Sequence, residues 1–125
     1  MSRLLSVSLT EQAVVERRKT VTRRLGWWED KRGRRLVLPG HELTLCRKVM
    51  GRKPGEPLVR LAQVKVVDVT RGPLWAGLSD EEAEREGFPG WSRLDFYLFF
   101  RDGLLGGRDE PHTPVTRIEW EYLDD

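Results

Sequence analysis

The sequence predicts an α+β fold, a small mixed β-barrel with short helices covering its ends. Strand-like runs at 42–49, 58–69 and 115–123 alternate with short helical segments that carry their own start signals. The longest run shifts its apolar parity from Val59/Leu61 to Val64/Val66 and again to Val67/Val69. A flat strand does not tolerate such shifts, whereas a coiled barrel strand with a bulge does.

The elements follow in order. Leu4-Leu5-Ser6-Val7 is short and apolar and reads as a first strand. Thr10 is placed to cap a helix through about residue 18, with Glu11 in its first turn and Ala13, Val14 and Arg17 on one face. Lys19-Thr20-Val21-Thr22 is rich in β-branched residues, so the helix gives way there to an extended segment. Residues 29–35 are charged around Gly33 and read as an exposed loop, and Pro39-Gly40 marks a turn before the 42–49 strand. A second turn lies at 51–57, before the bulged strand. Ser79-Asp80-Glu81-Glu82 matches a capping box, and Gly87 stops the resulting short helix at 80–86. Ser92 and Asp95 open another helix through Phe96, Leu98, Phe99 and Phe100, ending near Gly103. A Gly- and Pro-containing loop precedes the last strand, which places Thr116, Ile118, Trp120 and Tyr122 on one face.

A chain of 125 residues is expected to form one domain, residues 1–125, with a core that needs no disulfide or metal staple. Cys46 is the one cysteine and sits in an apolar run, which points to a buried, inert thiol. No basic-then-apolar signal pattern opens the sequence and no 18-residue apolar stretch occurs, so a cytoplasmic protein with no membrane partner is expected. His41 and His112 have no metal-ligand spacing to each other or to Cys46, and neither a phosphate-cradling glycine loop nor a nucleophile elbow is present. No cofactor and no metal are therefore expected, and a monomer is the default.

The net charge of +2 conceals an asymmetry: residues 17–60 carry 14 Lys/Arg against four acids, and residues 61–125 carry 7 against 14. Such polarity fits an anion-attracting face opposed by an acidic one, or two halves that neutralise each other in the fold. The densest stretch is Arg17-Arg18-Lys19-Thr20-Val21-Thr22-Arg23-Arg24, with Trp27 and Trp28 close behind and no acid before Glu29. Arginine forks and indole faces suit something anionic and planar, such as a nucleotide or RNA, so Arg17, Arg18, Arg23, Arg24, Trp27 and Trp28 are candidate ligand-binding residues. The two indoles cannot both face inward from an extended segment, so at least one should reach a cleft or solvent.

Lys19 and Thr22 form a second constellation. Neighbouring cations and burial both disfavour an ammonium, which would let Lys19 act as a base toward a hydroxyl or water; a solvated lysine beside a strand threonine is the plainer alternative. Glu86 is the third oddity. It falls at the end of the 80–86 helix, where the carbonyl ends favour a cation, and it reads either as a proton-transferring carboxyl or as a surface acid near Arg85. Glu81, Glu82 and Glu84 show no such misplacement and read as solvated or capping acids.

With these residues in hand, the chain resembles the ASCH (activating signal cointegrator homology) family, which has a PUA-like β-barrel. The family signature Gly-x-Lys-x-x-Glu-x-Arg meets Arg17, Lys19, Thr22 and Arg24 here, so glycine and glutamate are both replaced. Lys19-Thr20-Val21-Thr22 is similar to the Lys-Thr-x-Thr run of a subgroup of small bacterial 4-acetylcytidine amidohydrolases. Glu82-Ala83-Glu84-Arg85-Glu86 is similar to that subgroup's acidic helix and places its functional glutamate at Glu86. The resemblance implies a nucleoside or RNA ligand and, as catalytic residues, Lys19, Thr22 and Glu86. Two readings follow: an amidohydrolase removing an acyl group from a 4-acetylcytidine-like substrate, and a non-catalytic RNA- or nucleotide-binding module. A protein-interaction domain using the acidic 61–125 half is a third, without a motif of its own.

Overall fold

Residues 3–123 are described by the structure, a computed structural model. Five strands form one sheet in the order β1-β3-β4-β5-β2: β1 (Arg3–Ser6), β2 (Val21–Leu25), β3 (Glu42–Cys46), β4 (Arg60–Pro73) and β5 (Pro114–Tyr122). The β1–β3 pair is parallel and the other three are antiparallel. The sheet curls into the half-barrel of a PUA-like α+β fold. Its two edge strands are β1 and β2. Helices α1 (Glu11–Val15), α2 (Asp80–Arg85) and α3 (Arg93–Leu104) cover it. No helix among the described residues is long and apolar enough to cross a membrane.

The parity shifts of the long strand are two register breaks. Against β3, Leu45 faces Ala62 while Cys46 faces Arg60, which leaves Leu61 over. Against β5, Val66 faces Trp120 while Asp68 faces Glu119, which leaves Val67 over. Val67 is accordingly exposed, and Val64, Val66 and Val69 keep their places in the core. Each extra residue resets the alternation and tightens the coil, so one 14-residue strand serves both ends of the half-barrel.

Two apolar clusters result. Leu5, Val14, Leu43, Leu45, Val64, Val66, Ile118 and Trp120 fill the concave face of the sheet. Leu74, Leu78, Ala83, Phe96, Tyr97, Phe100 and Val115 join α2 and α3 to the other end. Cys46 is buried at the end of β3.

Several expected boundaries shift, each for a local reason. Thr10 stands at the N-cap of α1 but makes no side-chain cap bond: it ends a 3₁₀ turn (Ser8–Thr10), and its hydroxyl donates back to the Val7 carbonyl at 3.5 Å. The helix ends at Val15 rather than near residue 18, because Arg17 turns left-handed at φ +64°. The Arg18 amide then bonds the Ala13 carbonyl (2.7 Å) and the Arg17 amide bonds Val14 (3.0 Å), the paired bonds of a Schellman stop. Strand β2 consequently starts at Val21, two residues later than the β-branched run suggests, and β3 stops at Cys46. Ser79 caps α2 by accepting from the Glu82 amide at 3.0 Å, but the Glu82 carboxylate does not complete the box; it turns to arginines instead. The full reciprocal box forms at Ser92 and Asp95 on α3.

Helix α2 ends with the same device as α1. The Phe88 amide bonds Ala83 (3.2 Å) and the Gly87 amide bonds Glu84 (3.0 Å), with Gly87 at φ +109°. A Cβ on Gly87 would meet Thr10 and Ala13, at the start and middle of α1, at 3.0–3.1 Å, so glycine is needed there for space as well as conformation. Arg17 occupies the equivalent position on α1, where the ASCH signature carries glycine, and stacks its guanidinium 4.9 Å from the centre of the Tyr122 ring. Both Arg17→Gly and Arg17→Ala lose that ring contact, and only alanine keeps the left-handed strain. Arg17→Gly should therefore be more stable than Arg17→Ala by about 1 kcal/mol, read as a difference of a few degrees in thermal melts; equal melting would contradict this role of the backbone.

Candidate active site

Lys19 is positioned by its backbone before its side chain does anything. It follows the stop of α1, and its carbonyl accepts from the Trp120 indole (3.1 Å) and the Tyr122 hydroxyl (2.5 Å) of β5. The next residue binds both partners of the site: the Thr20 carbonyl accepts from the Trp120 amide at 3.0 Å, and its amide donates to the Arg85 carbonyl at 2.9 Å. The end of α2 is thus tied to the start of β2, and Glu86, the C-cap of α2, comes to lie against Lys19.

Lys19 and Glu86 are each only 3% exposed. The Lys19 Nζ donates to the Glu86 carbonyl (2.6 Å) and lies 3.3 Å from its Oε1. Arg23 donates to the other carboxylate oxygen at 2.8 Å. The second Arg23 amino group is held by Glu82 (2.5 Å) and the Gly77 carbonyl (2.9 Å). Glu86 is therefore neither solvated nor a surface partner of Arg85. Burial lowers the Lys19 pKa below its ordinary 10.5; Glu86 opposes this, and Arg24 and Arg23 reinforce it. Two N–H groups of Nζ suffice for the bonds to Glu86, which leaves the third position of the nitrogen for a lone pair in the neutral form.

Thr22 and Arg24 stand on one face of β2, two residues apart. Thr22 is buried, and its Oγ1 accepts from Arg24 Nε at 3.3 Å. Arg24 then reaches across from one edge strand to the other, donating to the Ser6 carbonyl of β1 at 2.7 Å. Burial lowers its pKa, with Glu86 acting the other way.

Lys19, Thr22, Arg23, Arg24 and Glu86 all line one cavity of about 500 Å³, between the β1 and β2 edges and α3. That volume is in the range of small-molecule sites. Its apolar side is aromatic: Phe96, Phe99, Phe100, Gly103 and Leu104 come from one stripe of α3, and Phe88 follows α2. Phe88 stacks on Trp91 at 4.4 Å and lies 5.1 Å from Phe99, which fixes that wall. Trp28, also at positive φ (+49°), lines the cavity from the other side while packing against the sheet core.

The remaining candidates lie elsewhere. Arg17 is on Tyr122, Arg18 pairs with Glu16 at 2.6 Å on the surface, and neither lines the cavity. Trp27 is 42% exposed with Arg71 5.9 Å from its ring centre, next in sequence to the cavity-lining Trp28. No group of three or more His, Cys, Asp or Glu gathers among the described residues.

Glu82 is the residue that sequence reasoning misjudged. Arg23 and Arg117 are register partners on β2 and β5, and two like charges opposite each other repel. Glu82 sits between them, 2.5 Å from Arg23 and 2.6 Å from Arg117, with Arg85 at 3.3 Å. Its serine-plus-three spacing announced a cap, and nothing local announces the sheet register. The stripe of α3 was legible at i, i+3, i+4 as a helix face, but not as a cavity wall.

No protein-family model and no curated protein sequence matches the chain. Solved structures do. Protein EF3133 of Enterococcus faecalis V583, of the family model DUF984, aligns with a TM-score of 0.66 at 19% identity, over 99% of this chain and 81% of that one. An ASCH domain of Lactobacillus crispatus JV V101 aligns at 0.59 and 13% identity, over 97% and 79%. Hypothetical protein PH0355 aligns at 0.60 and 20% identity, over 98% and 97%. The chain has the ASCH fold.

Burial opposes ionisation of Glu82, and the hydrogen bonds from Arg117 and Arg23 override it, holding its pKa at about 2 against an ordinary 4.5. A folded value below the unfolded one means that the unfolded chain binds the proton more readily. The carboxylate then stabilises the fold above about pH 4.5, and this contribution fades as pH falls toward 2. Glu82→Gln should lower stability at pH 7 by roughly 2 kcal/mol, the scale of a charge-assisted hydrogen bond. Thermal melts from pH 7 to 2 should show the wild-type advantage shrinking below pH 4.5; an advantage independent of pH would argue against an ionised Glu82.

Proposed function

We propose that the protein is a small nucleoside-directed amidohydrolase that removes the acyl group from 4-acetylcytidine-like substrates. One observation carries the reading: Lys19 and Thr22, from one short run, and Glu86, from the end of α2, line a single aromatic-walled cavity. The overall reaction adds water across the amide, giving the free 4-amino group and a carboxylic acid. Trp28 offers a ring to the base and the α3 wall takes the rest of the substrate. Lys19, with its lowered pKa, accepts the proton of the Thr22 hydroxyl or of a water that Thr22 positions. The oxygen so activated attacks the acyl carbon, and the carbonyl π pair moves onto its oxygen. On collapse the C–N bond breaks, and the leaving nitrogen takes a proton back from the Lys19–Glu86 pair. Where Thr22 is the nucleophile, water then cleaves its ester by the same steps in reverse roles. Glu86 keeps Lys19 in place and returns the proton.

A second reading, a non-catalytic RNA- or nucleotide-binding module, has its own support in the exposed Trp27 ring and the basic 17–60 segment. Binding of that kind weakens steeply with salt, in proportion to the phosphates engaged.

Chromatographic release of cytidine from 4-acetylcytidine decides between them. Wild type should release it, Thr22→Ser should retain part of the rate, and Lys19→Ala, Thr22→Val and Glu86→Gln should each lose about 10²- to 10⁴-fold. Thermal melts of each variant separate lost chemistry from lost folding. No release by wild type, or equal rates in folded Lys19→Ala, removes the enzymatic reading.

The same proton transfer predicts a pH profile. Lys19 works as a base only when neutral, so kcat/KM should rise with pH and level off at a value below the ordinary lysine 10.5. A rate–pH curve with no rising limb below that value would contradict Lys19 as the base.

A further inference from the structure

Lys19, Arg23 and Arg24 bring three cations to the cavity wall, and they are not treated alike. Glu86 holds Lys19, and Arg23 is closed off by Glu86, Glu82 and the Gly77 carbonyl. Arg24 has only neutral partners, the Ser6 carbonyl and the Thr22 hydroxyl, and no carboxylate pairs with it among the described residues. A largely buried cation with no carboxylate in contact is costly, by several kcal/mol in typical proteins, and here only the more distant charge of Glu86 favours it. A fold that retains one holds a place where negative charge is expected. The position of that place is set by Thr22, because Arg24 Nε touches the oxygen that attacks or positions the attacking water.

The geometry points to Arg24 as the group that receives the oxyanion formed on the acyl carbonyl, rather than as a clamp for a phosphate or ribose of the bound substrate. This deepens the proposed amide hydrolysis and rests on it. When oxygen adds to the acyl carbon, a full negative charge appears on the carbonyl oxygen, one bond from the atom under attack. The cation beside the attacking oxygen is then beside the new charge. The bond to Ser6, on the other edge strand, keeps the guanidinium from following a ground-state ligand out of the site. A donor held in place before charge develops favours the transition state over the substrate, and removing one such donor typically costs 10²- to 10³-fold in kcat. The inference holds whether Thr22 or water attacks, since both routes pass through the same oxyanion.

The test separates kcat from KM. With 4-acetylcytidine, Arg24→Gln should lose roughly 10²- to 10³-fold in kcat with KM within about threefold of wild type. Arg24→Lys, which keeps the charge but not the fork on Ser6 and Thr22, should recover part of the loss. A cytidine analogue carrying an anionic methylphosphonyl group in place of acetyl is the direct probe. Wild type should bind it more tightly than cytidine, and Arg24→Gln should erase that difference while leaving cytidine affinity unchanged. A raised KM with kcat intact, or equal loss of cytidine and phosphonyl affinity, would overturn the assignment in favour of a ground-state clamp. Should wild type fail to hydrolyse 4-acetylcytidine, the amidohydrolase reading falls by itself. Calorimetry with the phosphonyl probe then decides on the anion site alone: preference for the probe over cytidine that depends on Arg24 upholds it, and no preference ends it. Should Arg24→Gln not fold, Arg24→Lys and the wild-type preference for the probe carry the same comparison.

Discussion

The structure is organised around a carboxylate held by two cations out of reach of water. Glu86 stands at the end of α2, and Lys19 and Arg23 close on it from the segment that becomes β2. Bringing three charges out of solvent costs several kcal/mol apiece before their attraction returns anything, so such clusters are poor sources of stability. What this one supplies is position. The Lys19 nitrogen is aimed by the carbonyl and carboxylate of a single residue, and the other oxygen of that carboxylate is held in turn by Arg23. Apolar side chains of similar volume could fill the same space, but they would leave no nitrogen aimed into the cavity.

The backbone enforces the same arrangement from a second direction. Both helices that flank the cluster end in left-handed stops, at Arg17 and Gly87, and the Gly87 stop packs closely on Thr10 and Ala13 of α1 and its entry. Between them the Lys19 carbonyl takes two donors from β5, and Thr20 links β5 to α2. Two elements distant in sequence therefore fix two consecutive residues. A lysine side chain loses considerable rotamer freedom on burial, and here the loss is shared with hydrogen bonds that the sheet edge needs in any case.

Much of this was legible in the sequence, and the division has a physical basis. Local signals worked where one segment sets its own conformation: the Ser92/Asp95 box, the Gly87 stop, and the parity breaks that became unpaired Leu61 and Val67. Glu86 was noticed because an acid at a helix C-terminus opposes the local field, and an element that accepts such a cost has a partner elsewhere. Thr10 and Glu82 misled because their cap spacings are local statements overridden by tertiary partners. Thr10 was drawn into a 3₁₀ turn, and Glu82 was taken by two arginines brought face to face by strand register. The charge asymmetry had two candidate meanings and the fold divides it between them: Arg23 is in ion-pair contact with Glu82 and Glu86 of the acidic half, and Arg24 contacts only neutral groups.

That last division shows how neighbouring residues of one type acquire opposite roles. Alternation along a strand turns Arg23 and Arg24 to opposite faces. Arg23 shares its face with Arg117 on the paired strand and lies under α2, whose acids Glu82 and Glu86 meet it. Arg24 shares its face with Thr22, on an edge strand whose free side opens toward β1. No acid of α2 has an ion-pair contact with it there. The half-barrel's open edge thus creates both the cavity and a cation with no acid in contact, and a fully closed barrel of the same strands would offer neither. In this fold the gap between β1 and β2 is the feature on which the proposed chemistry depends, and the buried cluster beside it lines that gap with Lys19 and Glu86.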